Sequence, residues 1–329
     1  MFVINTTPVE VVLKKAHVTD EVAVAALVVA MAYRVDGERL VPLLTPPEPL
    51  PTDPPDTSIY AVWEGTSVTA AGHAHGPAKP PFVQPVSLQV GSVTRRLAVF
   101  GDRIWERALG SLAPSAPRPF DAIPLCFDRA FGGGYDLPPG LLPGTSLPHP
   151  GCRVDHQLNP LGKGFYPDAE RAALGPLPNV ERADQLIKRW DDAPDPAGFT
   201  PCRELLALRM RDHVGAQLRA HLARGGSHGE MAAEIPSFRM LHHAPPDLIL
   251  SDVKPGTAID LVGLGRGRIQ FSVPESPVAT VARGKRGETP IPPRVRAVHV
   301  DADHGVARVV FDHSFRYVPA RAPRRIRVT

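Results

Sequence analysis

The residues best suited to bind a metal are His73 and His75, which lie two positions apart in the segment His73-Ala74-His75. Alternate side chains of an extended strand face the same side, so this spacing places two imidazoles together. Zinc or iron would need a third and a fourth ligand. Candidates for these are His149, Cys152, Asp155, His156 and the pair His242 and His243. No recognised ligand spacing joins them, so a metal-dependent hydrolase that uses His73 and His75 is kept as the alternative function.

A second candidate is the segment 225–229, which matches the Gly-x-Ser-x-Gly pattern of a nucleophile elbow. That chemistry needs the serine on a sharp turn between a strand and a following helix. Here the segment follows a predicted helix, so we interpret it as a glycine-rich helix end. Residues 263–267 are also glycine-rich, but they lack the spacing of a dinucleotide-binding loop, and the sequence has no phosphate-binding lysine loop. We therefore expect neither an enzyme nor a bound cofactor.

The composition is that of a globular protein with an unusual amount of proline. The chain has 329 residues, with 37 Lys and Arg against 34 Asp and Glu, and 43% of the residues are hydrophobic. These values exclude a disordered chain, a coiled coil and a collagen. The 39 prolines are more than twice the usual share of about 5%. Because proline does not fit inside helices or central strands, the chain must contain many turns and extended connections.

The sequence gives no sign of a membrane or nucleic-acid partner. The longest apolar run, residues 22–33, is too short for a membrane-spanning helix, which needs about 20 residues. The basic residues near the C-terminus are not accompanied by an aromatic residue that could stack on bases. The N-terminus lacks the pattern of a secretory signal, and three scattered cysteines form no disulfide framework. We therefore expect a cytoplasmic protein.

Strand patterns fill the first third of the chain. Asp36-Gly37 supplies the turn of a hairpin between residues 22–35 and 38–41. Further strands are predicted at residues 57–63, 66–71, 86–90 and 93–100. The proline-rich segment 113–119 marks a boundary, so residues 1–118 are interpreted as an N-terminal antiparallel β domain.

Residues 119–329 are predicted to contain a loop-rich middle, one helix and C-terminal antiparallel strands. The helix covers residues 201–224, because leucine, methionine and valine recur there every four residues and Gly225 ends the pattern. Strands are predicted at residues 248–253, 258–262, 268–273 and 277–282, with a hairpin between 295–300 and 306–311. The predicted fold class is therefore mainly β (α+β), with antiparallel sandwich-like sheets, long Gly/Pro-rich loops and one main helix in the second half. Packing of the two segments as one integrated unit is left open.

The most specific motifs lie in the middle of the chain. In order they are GDRIW (residues 101–105), FDAIPL (120–125), DRAFGG (128–133), NPLGKGF (159–165), LPNVE (177–181) and PDPAGF (194–199). In this order and at these separations, the series resembles the domain of unknown function 2169 family, which accompanies bacterial type VI secretion systems. The flanks agree more loosely, through the long N-terminal hairpin and the strands that follow residues 244–247.

The resemblance implies a non-catalytic cytoplasmic adaptor or chaperone. Its partner would be a secreted effector with a PAAR-type or similar tip domain. The adaptor would help to load this effector onto the spike protein. The glycines and prolines of the motifs are expected to set loop geometry, and Arg129, Asn159 and Glu181 to be buried side chains that hold those loops together by hydrogen bonds. The large aromatic residues are expected to lie in a core or to anchor an interface. The candidate motif or partner-binding residues are Arg103, Trp105, Arg129, Phe131, Gly132, Gly133, Asn159, Pro160, Gly162, Gly164, Asn179, Glu181, Pro196 and Gly198.

Overall fold

Strands form most of the regular secondary structure. The computed structural model describes residues 1–7, 9–17, 23–43, 65–108, 110–141, 148–201, 243–265, 267–282, 287–323 and 325–329. Before residue 119 the strands are β1 (Phe2–Asn5), β2 (Glu10–His17), β3 (Ala23–Asp36), β4 (Arg39–Pro42), β5 (Thr66–Ala71), β6 (His73–His75), β7 (Val83–Val90), β8 (Val93–Phe100), β9 (Trp105–Ala108) and β10 (Ser111–Pro114).

The middle and C-terminal strands are shorter on average. They are β11 (Ala122–Pro124), β12 (Phe131–Gly132), β13 (Gly134–Leu137), β14 (Gly140–Leu141), β15 (Pro148–His149), β16 (Cys152–Asp155), β17 (Lys163–Gly164), β18 (Val180–Arg182), β19 (Ile249–Leu250), β20 (Ala258–Leu264), β21 (Gly267–Ser272), β22 (Ala279–Ala282), β23 (Glu288–Ile291), β24 (Arg294–Asp301), β25 (Val306–Tyr317) and β26 (Arg325–Val328). One short helix, α1, covers Ala169–Ala172, and 3-10 turns cover Phe127–Arg129, Pro246–Leu248 and Pro319–Arg321.

The largest sheet, called the main sheet below, has the order β19-β5-β24-β25-β3-β2, with β4 paired to β3. Its longest ladder joins β3 and β25 in antiparallel register, from Ala23 opposite Tyr317 to Arg34 opposite Val306. The predicted hairpin between β3 and β4 is confirmed, but its turn lies one residue later than predicted. Asp36 pairs with Arg39, so the turn residues are Gly37, with a φ of +61°, and Glu38. Strands β5 and β24 pair in parallel, which the long stretch of chain between them permits.

Two further sheets pack with the main sheet. One has the order β18-β8-β7-β20-β21 and the other the order β1-β26-β22-β23. Buried residues of all three sheets, such as Leu27, Leu88 and Val281, belong to one hydrophobic cluster. The sheets therefore share a core, as the predicted sandwich-like, mainly β architecture requires.

Most predicted strands in the described residues are confirmed, and two of them, β5 and β8, have the predicted bounds. The strand predicted at residues 248–253 is wrong in extent, because Pro245 and Pro246 begin a 3-10 turn that leaves only β19. The predicted strand 57–63, the predicted helix 201–224 and the segment 225–229 lie outside the described residues. Strands from both sides of residue 118 pair in the main sheet, and the boundary there stays a prediction.

The sheets also fix where the middle segment, residues 101–199, begins and ends. It leaves the five-stranded sheet after β8, and β18 returns to pair with β8. The segment ends where the Phe199 carbonyl accepts a hydrogen bond from the Ala70 N–H of β5, at 2.8 Å. Apart from β18, the strands that the structure describes in this segment form short two-stranded pieces. In the described part of the chain, no helix has the length and apolar character needed to cross a membrane.

Candidate functional site

A buried ion pair between Arg103 and Glu181 lies at the centre of the middle segment. Arg103 Nη2 donates to Glu181 Oε1 and, at 2.8 Å, to the Pro178 carbonyl. The Arg103 and Glu181 side chains are 5% and 1% exposed. The second carboxylate oxygen, Oε2, accepts the Ile187 N–H at 2.8 Å. Burial raises the pKa of Glu181, and the Arg103 guanidinium opposes that shift. Both carboxylate oxygens are thus engaged in joining separate stretches of chain.

Asn179 ties the start of the middle segment to its end. Its Nδ2 donates to the Phe100 carbonyl and to Asp102 Oδ1, both at 3.0 Å. Its backbone carbonyl accepts the Phe100 N–H at 2.7 Å, and its own N–H donates to the Arg129 carbonyl at 2.8 Å. The residue is fully buried, so these bonds satisfy backbone groups that no sheet ladder reaches.

Asn159 likewise joins separate stretches of the middle segment by hydrogen bonds. Its Nδ2 donates to the carbonyls of Phe127 and Phe131, at 2.7 and 3.0 Å. The backbone carbonyl of Asn159 accepts a hydrogen bond from the Gly133 N–H at 2.8 Å. The side chain is fully buried. The prediction that buried polar side chains hold these loops together agrees with the geometry of Asn159 and Glu181, whereas the Arg129 side chain is 40% exposed and is not a buried contact of this kind.

The motif glycines lie where two backbone segments approach closely. Gly133 has a φ of +89°, and an added Cβ would overlap the carbonyl oxygen of Gly162. Gly132 has a φ of +145°, and an added Cβ there would overlap the Asn159 carbonyl. Gly164 is packed against the ring of Pro178. Side chains are excluded at these positions by contact as well as by backbone conformation.

The aromatic motif residues Trp105 and Phe131 lie in a second hydrophobic cluster. They are almost completely buried together with Ala172, Leu177 and Ile187. The structure thus places them in a core, and they are not exposed anchors of an interface. This cluster packs under the loops that Asn159 and Asn179 hold.

The remaining motif residues lie nearer the surface. The Arg129 side chain is 40% exposed, and its closest acidic partner, Asp128, is 4.0 Å away. Pro160 is half-buried. Pro196 and Gly198 line a cleft beside β8. The structure therefore gathers most of the predicted residues into one hydrogen-bonded scaffold and leaves Arg129, Pro160 and Pro196 accessible.

Sequence reasoning missed a set of exposed leucines in the middle segment. Leu158, Leu161, Leu174 and Leu186 are 56%, 44%, 74% and 40% exposed. Leu158 and Leu161 flank Asn159 and Pro160, so one buried asparagine and two exposed apolar side chains lie within four consecutive residues. Nothing in the local sequence distinguishes these leucines from core residues, because their exposure depends on loop conformation.

Leu174 also has an unusual backbone. It is the described non-glycine residue with a positive φ, at +64°. Its N–H donates to the Trp105 carbonyl at 2.9 Å, and the Trp105 N–H donates to the Gly175 carbonyl at 3.0 Å. These two bonds hold the leucine in the left-handed region after α1, a position where glycine or asparagine is usual.

The histidines of the alternative function lie on β6. His73 Nδ1 is 2.7 Å from Asp303 Oδ2, and the His73 N–H donates to Asp303 Oδ1 at 3.0 Å. Within the described ranges, no three His, Cys, Asp or Glu residues form a group that could hold a metal ion. The hydrolase alternative stays a prediction, and the metal content of protein purified without chelators would test it.

The other suggested ligands lie apart from β6 or cannot be placed. His156 packs between the rings of Phe131 and Phe165, at 5.1 and 5.3 Å between centroids, and burial lowers its pKa. Cys152 and Asp155 belong to β16, which pairs with β13. The His149 side chain and all of His242 lie outside the described residues, and His243 is buried.

Comparison with known proteins yields one family. Residues 20–312 match a family model described as "Uncharacterized protein conserved in bacteria (DUF2169)". No curated protein and no solved structure matches the chain.

Proposed function

We propose that this chain, which belongs to this family of uncharacterised bacterial proteins, is a non-catalytic cytoplasmic adaptor or chaperone. Its partner is a type VI secretion effector with a PAAR-type or similar tip domain, which it helps to load onto the spike. The middle segment binds the effector, and its buried polar residues hold the binding surface in one conformation.

The observation that carries this proposal is the conformation and exposure of Leu174. A left-handed backbone costs a non-glycine residue about 1–2 kcal/mol, and an exposed leucine recovers nothing from burial in the free protein. Glycine at this position would relieve the strain. A leucine that is 74% exposed and held by two backbone hydrogen bonds is therefore suited to contact another molecule.

The second support is the way the polar motif residues are used. Arg103, Asn159, Asn179 and Glu181 direct their side chains to neighbouring carbonyls, N–H groups or each other. A catalytic group must instead reach a substrate. Their arrangement favours a preorganised binding surface, because rigid loops lose little conformational entropy when a partner binds.

The test is co-purification of the full chain with the effector encoded beside it in the host. We expect a stable complex with the wild-type chain and an affinity about tenfold lower or weaker still for Leu174→Gly, since a buried leucine contributes about 1.5–3 kcal/mol. The same variant is expected to be as stable as the wild type or more so, because the strain is relieved.

The matched control is Val278→Ser, which removes an apolar side chain that is 55% exposed outside the middle segment. This variant should bind the effector like the wild type. Recovery of the wild-type chain without the effector would overturn the adaptor function. Unchanged binding by Leu174→Gly would remove Leu174 from the binding surface.

A further inference from the structure

A polar cleft of about 260 Å³ opens beside β8. One wall is the end of the middle segment, and the other comes from β8, the end of β18 and the 3-10 turn that contains Asp247. The lining residues that carry charge are Arg95, Arg96, Arg182, Asp184 and Asp247. Three guanidinium groups thus line this cleft. We call it the arginine end, because it is one end of a longer groove.

Two of these arginines are held in position by aspartates. Arg95 Nε donates to Asp247 Oδ2 at 2.9 Å, and Arg182 Nη1 donates to the same oxygen at 3.4 Å. Arg182 Nε also donates to Asp184 Oδ1 at 3.2 Å. The exposed Arg96 side chain, by contrast, makes no hydrogen bond or ion pair to any residue that the structure describes. Arg96 therefore has donors available for a carboxylate from another molecule.

A second cleft of about 530 Å³ adjoins the first, since both are lined by Ala183 and Asp184. Its charged residues are Asp184, Asp192 and Asp195 against Lys188. Asp192 Oδ2 already accepts the N–H groups of Lys188 and Arg189, each at 2.8 Å. We call this the aspartate end. The two clefts form one groove with an excess of positive charge at one end and of negative charge at the other.

The walls of the groove are rigid. The Phe199 carbonyl accepts a hydrogen bond from the Ala70 N–H of β5. Gly198 lies against the ring of Phe127, and a Cβ added to Gly198 would lie 3.2 Å from that ring. The Asp195 N–H donates to Gln185 Oε1 at 3.2 Å and so fixes the two sides of the aspartate end. A groove already in shape binds an extended chain at a lower entropic cost than mobile loops would.

We propose that this groove binds an extended segment of the partner protein, with an acidic side chain at the arginine end and a basic side chain at the aspartate end. The proposal rests on the adaptor function and names the recognition element of the cargo. Charge complementarity along the groove selects the occupant, because a segment of the opposite polarity would place like charges together at both ends. The carboxylate pairs with Arg96, while Arg95 and Arg182 keep their aspartate partners.

The first test uses the full chain and three synthetic hexapeptides of glycine and serine. One peptide has Glu first and Lys last, the second has the reverse order, and the third has Gln at both ends. NMR signals of the arginine Nε–H groups report binding. We expect one charged peptide to shift the Arg96 signal, and the Gln peptide to leave it unchanged.

The matched variants are Arg96→Gln in the groove and Arg107→Gln on β9, where Arg107 is likewise exposed. Arg96→Gln should lower the affinity for the charged peptide about tenfold, and Arg107→Gln should not change it. Absence of binding by both charged peptides at millimolar concentration, or equal binding by the wild type and Arg96→Gln, would overturn the proposal.

A second test separates this inference from the adaptor function. The double variant Arg96→Gln and Asp195→Asn is co-purified with the neighbouring effector beside the wild type. Loss of the complex only in the double variant supports the groove. A wild-type complex that the double variant retains in full would overturn the groove while the adaptor function stands. Failure of the wild type to bind any effector would instead overturn the adaptor function, and the peptide test then decides the groove.

Discussion

Buried backbone groups form their hydrogen bonds in different ways in the main sheet and in the middle segment. In the main sheet, long ladders such as that between β3 and β25 pair the backbone, and apolar side chains fill the space between sheets. In the middle segment, strand pairs are two to four residues long. There, buried polar side chains form hydrogen bonds with backbone groups; they belong to Arg103, Asn159, Asn179 and Glu181.

The difference implies different responses to substitution. Apolar packing spreads stability over many contacts, each of which contributes little. A buried polar side chain that bonds two or three groups concentrates stability, because its loss leaves those groups without partners. The middle segment should therefore lose more stability when one of these buried polar side chains is removed than when an exposed polar side chain is removed.

The largest effect is expected from Arg103→Met, which leaves the carboxylate of Glu181 buried without its cation. Removing one member of a buried ion pair costs about 3–5 kcal/mol. Urea denaturation should show a decrease of that size in the free energy of unfolding. The exposed Arg107→Met should change it by less than about 0.5 kcal/mol.

The double variant Arg103→Met and Glu181→Met sharpens this result. Two apolar side chains of similar size leave no unpaired charge, so part of the lost stability should return. A double variant that is less stable than Arg103→Met alone would show that the pair does more than neutralise charge. A single variant as stable as the wild type would break the contrast between the two regions.

The next effect concerns close backbone approach in the middle segment. Gly133 and Gly256 have nearly equal φ values of +89° and +84°. An added Cβ at Gly133 would overlap the Gly162 carbonyl, whereas at Gly256 it would meet nothing within 4 Å. Both alanine variants carry the same backbone strain, of about 1–2 kcal/mol. Gly133→Ala should lose about 2–4 kcal/mol more than Gly256→Ala, since the loops must separate.

Thermal and urea unfolding of the two variants would measure this difference directly. Equal losses would mean that the loops can move apart at no cost. The rigid scaffold that supports the proposed adaptor function would then be untenable.

The same two regions explain what could be predicted from the sequence. The long apolar run before Asp36-Gly37 predicted β3 and β4, and short segments bounded by polar breaks predicted β5 and β8, because strands form where the local sequence favours an extended backbone. The parallel pairing of β5 with β24 could not be predicted, since it joins residues far apart in the chain.

In the middle segment the motifs identified which residues matter but not how they are used. Asn159 was predicted to hold loops together and Asn179 was a candidate motif residue, yet their partners, the carbonyls of Phe127 and Phe100, depend on the folded path of the chain. The groove was missed for the same reason, because Arg96 and Asp195 are distant in sequence. No local pattern records their proximity.

The smallest effect is expected from one of the buried polar residues of the main sheet, His299. Its Nδ1 lies 2.8 Å from Thr69 Oγ1 on the neighbouring strand, and the residue is 5% exposed. Burial lowers its pKa to about 4, and the nearby Asp301 opposes this shift. In the unfolded chain the pKa returns to about 6.5. Between these values the unfolded chain binds a proton that the folded chain does not, so stability falls as the pH falls.

From pH 7 to pH 5, His299 should reduce the free energy of unfolding by about 2 kcal/mol. The variant His299→Gln should lack this part of the pH dependence, while His75→Gln, at an exposed position on β6, should keep it. Burial also lowers the pKa of His313, so the wild type and His299→Gln must be compared at each pH. A pH dependence unchanged in His299→Gln would mean that the main sheet opens to admit water at His299. The main sheet would then depend less on the buried His299 than the middle segment depends on its buried ion pair.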